Sequence, residues 1–312
     1  MVIVFFGTPA FAVPTLGALL ASPHTVAAVV TQPDRPRGRG QKTTASPVKD
    51  AAMAAGLRVL QPPSVKTPEF AAELASLHAD IGVVAAYGQI VTQQLLDTPR
   101  LGMINVHASV LPRYRGAAPV HRAVINGDAE TGVTIMRMVK ALDAGPMIAV
   151  ERVPIGAEQT SDELERELAG VGAQLLVRTL DELAAGRATE APQDTAAATY
   201  APRLAKDDGR IDWHWPAARI HNLIRGLHPW PHAVTFANGK RLILHRSRPA
   251  AASSGTPPGT ILEASGEHVR VATGDGVLDL VEIQTEGGRP MPAREFLAGH
   301  PLAPGTVLQP PA

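Results

Sequence analysis

No cysteine occurs among the 312 residues. That absence excludes disulfides, thiol nucleophiles and cysteine metal sites together. No apolar run approaches the roughly 18 residues needed to span a bilayer. The apolar run at residues 2–6 is far shorter than the core of a secretory leader, and no basic segment precedes it. A cytoplasmic protein with no membrane contact is therefore expected. Several familiar chemistries are missing too. Gly7-Thr8-Pro9 follows the first apolar run without a G-x-G-x-x-G pattern, which argues against a dinucleotide site. Gly38-Arg39-Gly40-Gln41-Lys42-Thr43 has no glycine before its lysine and no strand leading directly into it, so it is not a P-loop. There is no G-x-S-x-G nucleophile elbow and no His-Glu-x-x-His. His228 and His232 flank Pro229-Trp230-Pro231, which breaks any helical metal pair. No metal is expected.

Acidic residues are locally absent. Between Trp213 and Leu262 there is no Asp or Glu, while Arg219, Arg225, Lys240, Arg241, Arg246, Arg248 and five histidines are present. A second acid-free stretch holds Arg35, Arg37, Arg39, Lys42 and Lys49. The net charge of zero argues against a polyanionic partner, but local basic patches argue for one. A merely solvated basic face explains them equally well.

What is present describes a packed α/β chain. A hydrophobic share of 45% suits a substantial core, and the length favours two domains. Apolar runs at 2–6, 25–31, 80–86 and 101–106 read as buried strands, and 131–139 is strand-like. They alternate with helical patterns, one over 11–20 and one opened by Ser46-Pro47. A long Pro/Gly/Arg-rich loop occupies 32–45. Alternation of this kind predicts an open, mostly parallel, Rossmann-like sheet. The clearest helix covers 160–183, with Thr160 and Glu163 as a capping box and Leu164, Leu168, Val171, Leu175 and Leu176 on one face. Periodicity then disappears. After a short helix over 217–227, short strands follow, and Asn238-Gly239 marks a two-residue hairpin. The expected organisation is a catalytic domain over 1–189, a linker over 190–208, and a smaller OB-like β-barrel over 209–312.

The chemistry centres on Asn105-Val106-His107-Ala108-Ser109-Val110-Leu111-Pro112, with Asp143 following 31 residues after Pro112. An amide donates hydrogen bonds without charge. An imidazole moves a proton near neutral pH. A carboxylate orients the imidazole and stabilises its charged form. Together they suit a reaction that builds a transient oxyanion and transfers a proton. Asn105 falls at the carboxyl end of a strand and Asp143 just beyond another, where ligands of open α/β sheets bind. Each residue also has a plain explanation, as a turn former, a structural histidine or a loop aspartate.

The pattern Asn-x-His-x-Ser-x-Leu-Pro with Leu142-Asp143-Ala144-Gly145 resembles the formyltransferases that use 10-formyltetrahydrofolate, along nearly the whole chain. Supporting segments are Phe6-Gly7-Thr8-Pro9, Thr31-Gln32-Pro33-Asp34-Arg35, Ala86-Tyr87-Gly88 and Arg113-Tyr114-Arg115-Gly116. The Arg/Gly loop and C-terminal barrel point within that family to the branch acting on methionyl initiator tRNA. The resemblance implies Asn105, His107 and Asp143 as catalytic residues and 10-formyltetrahydrofolate as co-substrate. It implies Ser109, Val110, Leu111, Pro112, Tyr87 and Gly88 at the folate. Arg35, Arg37, Arg39 and Lys42 would contact tRNA. Phe11 would touch the methionine side chain, or simply pack in the core. A monomer is expected. The alternatives are a formyltransferase acting on an amino-sugar nucleotide and a non-catalytic RNA-binding protein on the same scaffold. Ala108 and Val110 depart from the family's usual Gly and Leu. Ala108 adds a Cβ where local backbone angles decide its fit.

Overall fold

A computed structural model describes residues 1–37, 42–250, 252 and 255–309, without the side chains of residues 37 and 42. The chain forms two compact units. The first comprises Met1–Pro119, Thr131–Pro154 and Glu165–Ala201, and the second Val120–Glu130, Ile155–Leu164 and Pro202–Ala312.

Strands of the first unit are β1 (Val2–Gly7), β2 (Thr25–Val30), β3 (Arg35–Arg37), β4 (Lys42–Thr44), β5 (Val59–Leu60), β6 (Ile81–Ala85), β7 (Met103–His107), β8 (Arg115–Gly116), β9 (Glu130–Arg137), β10 (Met147–Pro154) and β11 (Tyr200–Ala201). Seven form one sheet in the order β10-β9-β7-β6-β1-β2-β5. The pairs from β5 through β7 are parallel. β9 runs antiparallel to β7, so the expected parallel alternation ends there. Ile3, Val4, Phe5 and Phe6 are all fully buried, as a strand covered on both faces requires. The 32–45 stretch is not wholly loop: β3 and β4 pair as a small antiparallel ribbon.

Helices are α1 (Val13–Leu20), α2 (Pro47–Ala54), α3 (Pro68–Ser76), α4 (Gln93–Leu96), α5 (Pro119–Ile125) and α6 (Ser161–Ala184). Ser46 caps α2 by accepting the Lys49 N–H, with Pro47 in the first turn. At the start of α6 the Glu163 carboxylate accepts the Thr160 N–H at 2.8 Å, while the Thr160 hydroxyl donates to Asp162. Leu164, Leu168, Leu175 and Leu176 of the expected apolar face are buried. No helix among the described residues is long and apolar enough to cross a membrane.

The second unit carries α7 (Ala217–Gly226), β12 (Ala233–Ala237), β13 (Lys240–Ala250), β14 (Ile261–Ser265), β15 (His268–Ala272), β16 (Val277–Thr285), β17 (Met291–Pro292) and α8 (Ala293–Gly299). Its sheet runs β12-β13-β16-β15-β14, with β17 beside β16. Asn238 and Gly239 both have positive φ, the geometry of the expected tight hairpin. The chain's last described residues join the two sheet edges. Gln309 exchanges hydrogen bonds with Phe236 of β12, and Leu308 and Thr306 bond Gly259 and Ile261 beside and within β14. The sheet therefore closes on itself. Ile220, Leu223, Ile224 and Leu227 pack with Leu244, Val269, Leu278 and Ile283 in its core.

Three histidine rings cluster in this unit. His232 lies 4.5 Å from His245 and 5.4 Å from His228, centroid to centroid. Burial first, then the neighbouring His245, His228 and Arg241, push His232 down to about 4. The ring is therefore neutral in the fold, whereas an unfolded histidine protonates near 6.5. Between about pH 6.5 and 4 the unfolded chain takes up a proton that the folded chain refuses, so stability falls as pH falls through that window. The expected loss is on the order of 1–2 kcal/mol, discounted for the part of the ring open to water. Asparagine keeps the residue's φ of 67° accessible. The His232→Asn variant should lose less thermal stability between pH 7 and 4.5. Parallel unfolding curves for both proteins across that range would refute the assignment.

Candidate active site

Asn105 and His107 lie two residues apart on β7 and so face the same side of the sheet. Val106 faces the other side, where its methyl approaches Gly172 of α6 so closely that a Cβ there would sit 2.9 Å away. The strand is thereby fixed from behind while its polar face stays available. Asn105 is half-buried, and its register partners are Val84 on β6 and Met136 on β9. His107 is 5% exposed.

The two nitrogens of His107 have different surroundings. Nε2 lies 3.0 Å from the Tyr114 carbonyl oxygen. A carbonyl only accepts, so Nε2 carries a proton and donates it there. Nδ1 lies 3.8 Å from the Asp143 Oδ2. Only the doubly protonated ring presents an N–H toward that carboxylate. At 3.8 Å the contact is too long for a hydrogen bond.

Asp143 sits on the turn after β9 with φ of 47°, a left-handed conformation that aspartate tolerates better than most residues. Its Oδ2 accepts the Gly116 N–H at 2.8 Å. Gly145 closes the turn against the Arg137 carbonyl with no space for a Cβ. One short loop therefore serves both catalytic candidates: Tyr114 offers its carbonyl to His107 and Gly116 its N–H to Asp143. That loop is strapped by residues 193–201. The Thr199 hydroxyl accepts the Tyr114 N–H at 2.9 Å, the Thr199 carbonyl accepts the Arg115 N–H, and β11 pairs with β8. Gln193 bonds the turn at Asp143 and Gly145 and also Arg115. Much of the stretch expected as a linker is thus bonded into the first unit. Sequence reasoning missed Gln193 altogether, and nothing in its local pattern marks it.

The other expected site residues separate. Val110 and Leu111, with Met147, Val150, Glu151 and Arg152, line a cavity of about 550 Å³, within the size range of small-ligand sites. Ser109 is fully buried and its hydroxyl donates to the Arg113 carbonyl, so it holds the loop's shape instead of facing that cavity. Pro112 is half-buried, and its carbonyl accepts the Thr199 N–H. Tyr87 departs from expectation. Its ring lies in the core, edge-on to Phe6 at 5.4 Å, and burial pushes its hydroxyl up to about 12. What Tyr87 offers nearby is its carbonyl, which accepts the Thr8 hydroxyl. Gly88 is exposed with φ of 93°. Ala108 avoids positive φ, so the added Cβ needs no strained backbone. Val110 packs against Gly132, where a Cβ would come within 2.9 Å of its methyl. Phe11 is half-buried in a 3-10 turn.

Arg35 is exposed and donates to Gln32. Arg37 and Lys42 pair across the β3–β4 ribbon, and Arg39 lies outside the described residues. In the second unit, Arg225 is buried and donates to the carbonyls of Gly156 and Gln159, a structural role. Arg246 pairs with Glu163 at 2.6 Å, Arg248 with Glu158 and Arg241 with Glu286. Three of the six basic residues of the acid-free stretch thus meet glutamates from elsewhere in the chain. No cluster able to hold a metal ion occurs among the described residues.

A Rossmann-like sheet with an Asn/His pair on one strand and a facing carboxylate defines a group-transfer scaffold, and the chain belongs to the formyl transferase family. Residues 1–180 match the family described as formyl transferase, and residues 203–301 its C-terminal domain. The methionyl-tRNA formyltransferase of Moorella thermoacetica is 50% identical over 308 residues, covering 99% of each chain. That of Solibacter usitatus is 49% identical, covering 99% of this chain and 98% of the relative. Among solved structures, an N-formyltransferase from Helicobacter canadensis, in complex with folinic acid and dTDP-3-aminofucose, superposes with a TM-score of 0.68. It covers 90% of this chain and 98% of its own at 19% identity, a likeness of fold.

Proposed function

We propose that this chain transfers the formyl group of 10-formyltetrahydrofolate to the α-amino group of methionyl initiator tRNA, for translation initiation. The observation that carries this reading is the identity of 50% and 49% to two methionyl-tRNA formyltransferases along essentially the whole of both chains, second unit included. An amino-sugar nucleotide as acceptor has only fold likeness behind it, at 19% identity.

In this reading the amine lone pair attacks the formyl carbon and the carbonyl electrons move onto oxygen. The Asn105 amide and, in the doubly protonated ring, the Nδ1–H of His107 donate hydrogen bonds to that oxyanion, each worth roughly 2.7–4 kcal/mol in comparable sites. Asp143 takes a proton from the attacking nitrogen, directly or through one water. The oxyanion then collapses and the bond to folate N10 breaks. Tetrahydrofolate leaves with the proton that the His107–Asp143 pair returns to N10. The cavity beside Val110 and Leu111 receives part of the folate, and Phe11 meets the methionine side chain. Arg35, Arg37, Arg39 and Lys42 hold phosphates of the acceptor end. Residues 1–189 form the catalytic domain, 190–208 the link and 209–312 the RNA-binding barrel, in a monomer that works in the cytoplasm.

The test is a formyl-transfer assay with three acceptors: charged initiator tRNA, charged elongator tRNA and an amino-sugar nucleotide. Formyl is expected on methionyl initiator tRNA, with kcat/KM at least about 100-fold above the sugar nucleotide. Equal or better use of the sugar nucleotide, or transfer to none of the three, overturns the reading.

A further inference from the structure

Asp143 is the only proposed catalytic group that sits on a loop, and it sits there in a conformation most residues avoid. Something must hold it. The Gln193 amide nitrogen donates to the Asp143 carbonyl at 2.9 Å and to the Gly145 carbonyl at 2.8 Å. These two carbonyls bracket Ala144, so bonding both fixes the rotation of the turn that aims the carboxylate. The Gln193 carbonyl oxygen accepts twice from Arg115, at 3.1 Å from Nε and 2.7 Å from Nη2.

Arg115 is 4% exposed, and among the described residues no carboxylate pairs with it. A buried guanidinium instead polarises the amide oxygen of Gln193. Charge-assisted bonds on that side strengthen the two N–H donors on the other. The chain of contacts thus runs from Arg115 through Gln193 to the Asp143 turn. The Gly116 N–H, one residue beyond Arg115, meets the carboxylate of the same aspartate. Both ends of Asp143, backbone and side chain, are referenced to the same short segment.

The geometry points to Gln193 as a positioning residue for Asp143, a role that rests on the formyl-transfer reading and acts only through that carboxylate. Glutamate at 193 keeps the size and the bonds to Arg115 but turns an acceptor toward two carbonyls. The turn then loses its donors and relaxes toward ordinary φ, carrying the carboxylate away from His107.

The experiment uses the full chain with Gln193→Glu and Gln193→Met, each alone and in an Asp143→Asn background. Steady-state and single-turnover transfer and the thermal midpoint are measured. Gln193→Glu is expected to lower kcat by about 10- to 100-fold, the scale of an ångström-sized misplacement. KM for folate and for charged tRNA should stay within about threefold. In the Asp143→Asn background the same substitution should change kcat by less than about twofold, because its effect passes through the group already removed. Undiminished kcat in both Gln193 variants overturns the proposal. So does a loss that multiplies fully in the Asp143→Asn background, or one expressed in KM. Should the glutamate variant fail to fold, Gln193→Met is judged by the same criteria. Wild-type transfer is measured alongside. An inactive wild type counts against the formyl-transfer reading, whereas an active wild type with undiminished variants counts against Gln193 alone.

Discussion

Replacing His107 by alanine is expected to lower kcat by on the order of 10²–10³ while leaving KM for charged tRNA nearly unchanged. The expectation follows from how the two ring nitrogens are committed. Nε2 is occupied by the Tyr114 carbonyl, so the ring cannot turn to present it elsewhere. Nδ1 lies 3.8 Å from the Asp143 carboxylate, so the two groups border the same space. Alanine removes the imidazole that donates to the oxyanion in the proposed reaction. Asp143→Asn should produce a loss of the same order, since the amide keeps the shape and the bond from Gly116 becomes weaker, but no negative charge faces Nδ1. Asn105→Ala removes an uncharged donor on the same strand face and should cost about 10²-fold or more. A separate, smaller cost falls on stability. Without the ring the buried Tyr114 carbonyl loses a donor, worth about 1–3 kcal/mol. Measuring transfer well below the thermal midpoint separates the two effects. Near-normal turnover by the His107 or Asp143 variant removes the proposed roles.

Much of the fold is legible in the chain because burial on both faces leaves a continuous apolar signature. β1, β2, β6 and β7 are read directly from such runs, and Asn238-Gly239 announces its hairpin by the positive φ that both residues accept. β10 is not legible. It lies at the sheet edge, carries Glu151 and Arg152, and is only partly buried along most of its length, so no apolar period marks it. Strand direction escapes as well. The composition of β9 does not record that it runs against β7.

At the site, the signal is strongest where chemistry dictates residue type. Asn105, His107 and Asp143 stand out because few other side chains supply a donor, a proton shuttle and a charge. The residues that hold them do not stand out. Gln193 and Thr199 act through hydrogen bonds to residues distant in sequence, and a polar, aperiodic stretch reads as a linker whether or not it is bonded down. Tyr87 shows the reverse. The resemblance places it at the folate, whereas its ring lies in the core beside Phe6 and only its backbone is turned to its polar neighbours. The acid-free stretch misleads in a third way. Charge counted along the chain ignores Glu158, Glu163 and Glu286, which reach Arg248, Arg246 and Arg241 through space.

Gly116→Ala should impair both turnover and stability, because one residue there meets three demands. Its φ of 117° lies beyond the left-handed region that side-chain-bearing residues occupy. A Cβ would stand 2.8 Å from the Ala201 carbonyl oxygen. Ala201 is fully buried and its carbonyl accepts the Ala117 and Ala118 N–H groups, so the strap has little freedom to retreat. The strain and the clash together should cost about 1–3 kcal/mol of stability. The third demand is chemical. The Gly116 N–H is the donor that holds the Asp143 Oδ2, and any shift of the backbone that relieves the clash moves this donor. A kcat loss of about 10-fold or more should therefore persist at temperatures where the variant is fully folded. Calorimetry beside single-turnover transfer separates the two components. A lowered midpoint with unchanged kcat would mean that the Gly116 contact supports the fold but not the aim of the carboxylate, and an unaltered midpoint would mean that the strap yields where its burial says it is fixed.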